Sequence, residues 1–171
     1  MTARPATPGG YKIPPYSVND EKVLVGSMLE RPEITDAVAA IVTDPDAFFR
    51  PEHGRLYRAI LAARANGHAP DSATMLAALE AGGHLTTLGG LDGIRGMRDA
   101  AVDDDAALAS ARVIREKSLM RALIDVITEM LNDVYHAQDG FEAVLKRSKR
   151  QLTELGHASG VTKPRASRSK K

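Results

Sequence analysis

The chain has 171 residues, 43% of them hydrophobic, enough for one domain or for a domain with an appendage. With 4% aromatic residues, no Trp and no Cys, its core must be filled by Ala, Leu, Ile, Val and Met, and neither a disulfide framework nor a thiolate metal site can form. The net charge of +1 hides a division: residues 161 to 171 carry five of the 23 basic residues and no acid, leaving 18 basic against 22 acidic elsewhere, a net of −4.

Residues 1 to 15 hold four Pro and two Gly and read as a flexible leader through residue 13, stiffened by Pro14-Pro15. The leader lacks the apolar stretch of a secretory signal, and no run of about 18 apolar residues follows, so a cytoplasmic protein is expected. Ser17 is a good N-cap, with Asp20 and Glu21 on the first turn of a helix through Val18, Val23, Leu24, Met28 and Leu29. Gly26 inside that helix costs ~1 kcal/mol relative to Ala unless it lets another helix approach closely. Pro32 opens a second helix through Ile34, Val38, Ile41 and Val42. Asp44-Pro45-Asp46 is a turn that aims Phe48 and Phe49 inward.

Pro51, at the first-turn position where Pro is tolerated, starts a third helix with Leu56, Tyr57, Ile60 and Leu61, ended by Asn66-Gly67. Asp71 or Ser72 caps a fourth, carrying Met75, Leu76 and Leu79 and stopping at Gly82-Gly83. Leu85 to Leu88 reads as short and irregular, and Gly89-Gly90 precedes a small helix from Leu91 to about Ala100. Asp103-Asp104-Asp105 then places acid at the start of a long helix, where the macrodipole favours it.

That long helix carries Met120, Leu123, Ile127, Met130 and Val134 at alternating steps of three and four. After a break at Gln138-Asp139-Gly140 the same steps recur at Phe141, Leu145, Ser148, Leu152 and Leu155. Two such seams predict an antiparallel helical hairpin over residues 104 to 156, with Leu123, Ile127, Met130, Val134, Phe141, Leu145, Leu152 and Leu155 as association positions. The first helix, Ala106 to Val134, would be about 43 Å long at 1.5 Å per residue, longer than the domain's own core needs. Seven helices and no strand pattern give an all-α chain: a leader at 1–13, a compact head at 14–103, the hairpin at 104–156 and a disordered basic tail at 157–171.

Nothing in this pattern looks catalytic. There is no GxxxxGK[ST] phosphate loop, and Gly89-Gly90-Leu91-Asp92-Gly93 lacks the Lys and Ser/Thr such a loop requires. The five His stand apart at 53, 68, 84, 136 and 157, without metal-ligand spacing, and His53 reads as a packing or capping residue. Met75, Met97, Met120 and Met130 read as core filler. No metal and no cofactor is expected. Binding features are better represented: Lys146, Arg147, Lys149 and Arg150 surround Ser148 on the second hairpin helix, either as an ordinary solvated face or as a docking surface for an acidic partner or nucleic acid. Lys163, Arg165, Arg168, Lys170 and Lys171 could add weak, salt-sensitive phosphate contacts, without the aromatic residues that base stacking requires.

Six stretches, in order, resemble the opening of DnaB-type replicative helicases. They are Pro14-Pro15-Tyr16-Ser17 with Glu21 and Val25-Gly26-Ser27-Met28-Leu29; Phe48-Phe49-Arg50-Pro51-Glu52-His53; Leu56-Tyr57-Arg58-Ala59-Ile60; Ala69-Pro70-Asp71 with Thr74, Leu79, Gly83 and Leu85; Gly89-Gly90-Leu91; and the run Ala111 to Ile124, with Arg115-Glu116-Lys117 and Arg121 at its centre. Asn19-Asp20, Lys22 and Ser110 depart from the usual pattern, and the family's ATPase domain is absent from this sequence. The resemblance therefore implies a non-enzymatic N-terminal domain, a helical head plus hairpin, serving as a protein–protein assembly module in DNA replication. In hexameric relatives such domains pair through their hairpins into a collar on which primase docks. Self-association and contact with a replicative helicase or primase are the implied partnerships, and weak non-specific DNA binding through the basic tail is the alternative. The ending at Lys170-Lys171 points to a stand-alone chain rather than a fragment.

Overall fold

A computed structural model of the chain describes residues 13–68 and 73–160. Among the described residues there are eight α-helices and no strand: α1 (Val18–Glu30), α2 (Thr35–Ile41), α3 (Pro51–Ala65), α4 (Ala73–Ala81), α5 (His84–Thr87), α6 (Gly90–Arg98), α7 (Asp104–His136) and α8 (Phe141–Ala158). Two 3-10 turns, Pro32–Ile34 and Pro45–Ala47, each begin at a proline, whose fixed φ suits a first helical position. The extra helix, α5, lies where the sequence reads as irregular. Gly83 (φ 68°) and Gly89 (φ 85°) take left-handed conformations on either side of it, leaving room for one turn.

Helix α1 is the centre of the head. Leu24, Val25, Met28 and Leu29 are buried, together with Gly26 and Ser27, so the helix is enclosed on several sides by α3, α6 and α7. Gly26 is there for close approach: a Cβ on it would lie 1.9 Å from the carbonyl oxygen of Met97 in α6. Ser27 Oγ accepts a 3.0 Å bond from the Val102 amide, tying α1 to the segment that enters α7. Tyr57 is fully buried on α3, and its hydroxyl donates to the Val42 carbonyl at the end of α2 over 2.6 Å.

Asp103, expected as acid at the start of α7, also caps that helix by accepting from the Ala106 amide at 2.9 Å. Ser17 behaves otherwise: its hydroxyl donates to Asp20 rather than capping α1. The expected capping of α4 by Asp71 or Ser72 lies outside the described residues.

The boundary between head and hairpin is not at Asp104. Ala107, Ala111 and Ile114 of α7 are buried in the same core as α1, so the first turns of the long helix belong to the head. The tail boundary moves too, because α8 continues through His157 to Ala158.

Phe48 and Phe49 part company. Phe48 is buried against Tyr57, with ring centroids 5.1 Å apart, whereas Phe49 is half-buried and stacks on Tyr16 at 4.6 Å.

A candidate assembly surface on the hairpin

At 33 residues α7 is roughly 50 Å long at 1.5 Å per residue, and its buried positions end at Ile114. Arg121 stands where it leaves the head. Its guanidinium donates to the carbonyls of Pro15, at 2.8 Å, and of Ala47, and lies 6.0 Å from the centre of the Phe49 ring. Desolvation lowers its pKa, and the nearby charges of Glu21 and Asp125 oppose that shift. A cation inside the apolar run Leu119 to Leu123 was the available signal for this anchoring role, which the seam pattern alone does not reveal.

Beyond Arg121, α8 folds back on α7. Val144 and Ser148 are buried, and Gln151 and Leu155 are half-buried, making the inner line of α8. On α7 the half-buried positions after Arg121 are Ala122, Val126, Met130 and Asp133, in line with Leu119. One flank of the hairpin is stitched by polar contacts. Gln151 donates to Glu129 at 3.1 Å, and Arg147 bonds Asp133 at 3.0 Å and Asp139 in the turn. Arg147 holds the Asp139 carboxyl below the usual carboxylate range, and the two acids raise the guanidinium pKa.

The other flank is apolar and bare. At roughly 100° per residue, Leu123, Ile127 and Val134 sit some 60–120° from the inner line of α7. Phe141, Leu145 and Leu152 are displaced in the same rotational sense from the inner line of α8, by roughly 45–85°. In an antiparallel pair these displacements fall on one side of the hairpin. Ten of the thirteen large apolar side chains exposed among the described residues are on α7 and α8, with Phe141 at 78% and Ile127 at 52% exposure. Ile124, Leu131 and Tyr135 extend the patch around α7. At its base a groove of about 300 Å³ runs between the helices, lined by Leu119, Met120, Leu123, Leu152, Leu155 and Gly156 among others.

The predicted association residues thus divide. Leu123, Ile127, Val134, Phe141, Leu145 and Leu152 share the exposed flank, while Met130 and Leu155 are half-buried within the hairpin. Met120, expected in the core, is 40% exposed at the groove, whereas Met75 and Met97 are buried. The inner line of α8 shares Ser148 and Leu155 with the sequence seam and adds Val144 and Gln151. Of the basic candidates, Lys146, Lys149 and Arg150 are exposed and Arg147 is engaged in the hairpin's ion pairs. Lys163, Arg165, Arg168, Lys170 and Lys171 lie outside the described residues.

Glu21 stands on the first turn of α1, as its position predicts, but nothing local announces its burial. It is 2% exposed, and its carboxyl oxygens accept from the amides of Phe49 and Arg50, with His53 Nδ1 3.0 Å away. Buried on both sides, this pair fastens α1 to the start of α3 and offers no access to a substrate. Among the described residues no group of three His, Cys, Asp or Glu could hold a metal, and no helix is long and apolar enough to cross a membrane.

Comparison with known proteins gives the same outline. The profile of the DnaB-like helicase N terminal domain matches residues 13–116. The replicative DNA helicase DnaB of Geobacillus stearothermophilus is 28% identical over 144 residues, covering 84% of this chain and 32% of that protein. The Rhodothermus marinus DnaB is 30% identical over 132 residues, covering 77% of this chain and 14% of its own length. Thus the chain spans about a third or less of these relatives. The crystal structure of the N-terminal domain of DnaB helicase from Mycobacterium tuberculosis superposes with a TM-score of 0.71 at 27% identity, covering 83% of this chain and 99% of that one.

Proposed function

The chain belongs to the family of DnaB-like helicase N-terminal domains, and from that membership we propose that it is a protein–protein assembly module of DNA replication whose working surface is the bare apolar flank of the α7–α8 hairpin. The observation that carries this reading is the flank itself. A monomeric surface rarely leaves so many large apolar side chains contiguous, and such patches mark association sites. Its first occupant is a second copy, whose equivalent flank is self-complementary about a two-fold axis. A replicative helicase or primase then engages the paired hairpins, in the manner the family resemblance implies. The module contributes binding and no ATP hydrolysis of its own.

The test is a pull-down of a replicative helicase and its primase by the full chain, against an Ile127→Asp/Leu152→Asp variant. Removing the whole of 104–156 would be the wrong comparison, because Ala107, Ala111 and Ile114 are part of the head's core. Both substituted positions are exposed, so helicity should be retained. Capture by the native chain and loss in the variant is the expected result. Equal capture by both would place the contact elsewhere.

A further inference from the structure

The far side of α8 carries a second surface, independent of the apolar flank. At roughly 100° per residue, Ala143, Lys146, Arg147 and Arg150 lie on the side of the helix opposite Phe141, Leu145 and Leu152. Together they line a shallow depression of about 490 Å³. Arg147 is held there by Asp133 and Asp139. Lys146 is exposed without an ion partner among the described residues, and Arg150 has only a loose, exposed pair with Glu154 at 3.7 Å, an arrangement that contributes little. Lys149 is exposed at the border between the two surfaces.

This surface begins a larger asymmetry. Residues 146–171 hold nine basic side chains and one acid, Glu154, whereas residues 1–145 hold 14 basic and 21 acidic, a net of −7. A polyanion is therefore repelled by most of the sequence and attracted by its C-terminal part.

We infer that the outer face of α8, through Lys146 and Arg150, binds the phosphate backbone of duplex DNA. Two features favour this occupant. The depression is lined by alanine and cations only, with no apolar pocket to take the anchoring side chain of a protein partner. No aromatic residue follows Phe141, so the stacking platform of single-strand binding is missing and the contact is with the backbone, without base reading.

The experiment is an anisotropy titration of a short labelled duplex of arbitrary sequence with the full chain, between about 50 and 200 mM salt, the range over which phosphate contacts weaken steeply. Each cation meeting a phosphate contributes about 0.9 to the slope of log K against log salt. Lys146→Gln/Arg150→Gln should therefore lower the slope by about 1.8. A full-length chain with Lys163, Arg165, Arg168, Lys170 and Lys171 replaced by Gln should keep the helix's share. An unchanged slope in the Lys146/Arg150 variant, or no binding by the native chain at the lowest salt, would overturn the inference. So would labelled polyglutamate binding as tightly as the duplex, which would assign the face to acidic proteins. Light scattering on the same samples keeps the two surfaces apart: the variant should retain the native mass. A monomeric native chain with the expected slope change would sink hairpin pairing and leave this surface standing.

Discussion

Glu21 illustrates how much one side chain can organise. Its carboxyl group collects the amides of Phe49 and Arg50 and the ring nitrogen of His53, all within a site closed to solvent. Glu21→Ala leaves those donors buried without an acceptor, and a loss of roughly 2–4 kcal/mol is expected by urea unfolding. Gly26 works by absence. Although Ala is the better helix former by ~1 kcal/mol, Gly26→Ala drives a methyl into the Met97 carbonyl and should destabilise by about 1–3 kcal/mol. Tyr57 gives a pH signature. Burial pushes its phenol from 10.0 up to about 12. Because the folded value lies above the unfolded one, its contribution is complete below pH 10 and is lost as pH rises toward 12. Tyr57→Phe should cost about 1–2 kcal/mol at neutral pH by leaving the Val42 carbonyl unpaired, and should flatten that alkaline decline, as unfolding curves at several pH values would register.

The elements differ in how openly the sequence announces them. Caps and breaks are local, so Asp103 at the start of α7 and the Gln138-Asp139-Gly140 break before α8 are readable from neighbours alone. Burial is not local: Glu21 looks like any first-turn acid until a loop 28 residues away closes over it. The hairpin is legible as two helices and a break, but not in its rotation. Periodicity identifies apolar strips without saying which strip faces the partner helix. The inner line of α8 contains Ser148 and Gln151, while Phe141, Leu145 and Leu152, which share the sequence seam with Ser148, lie outside that line. What closes the hairpin on its other flank is Arg147, and that too can be titrated. Arg147 lowers the Asp139 pKa from 3.8, so the pair's contribution is present above that value and is lost as pH falls through the lowered one. Amide protection at residues 137–141, taken relative to the intrinsic exchange rate at each pH, should fall in acid in the native chain, and Arg147→Gln should show the lower protection already at neutral pH.

As a whole, the molecule is a head enclosing α1 and a hairpin projecting from it on the second half of α7, with Arg121 at the point of departure. The family and the all-α plan were legible from ordered local motifs, Phe48 to His53 and Arg115 to Arg121 among them. The exposed flank was legible only as a list of apolar positions, because its face depends on how two helices rotate against each other. That rotation puts Leu123, Ile127, Val134, Phe141, Leu145 and Leu152 on one side, uncovered, and it is the basis for assigning assembly to this flank. Light scattering across a concentration series addresses that claim most directly. The account predicts at least twice the monomer mass for the native chain, and monomer mass with unchanged helicity for Ile127→Asp/Leu152→Asp. A native chain that stays strictly monomeric at high concentration, or a variant that associates as the native chain does, would contradict it.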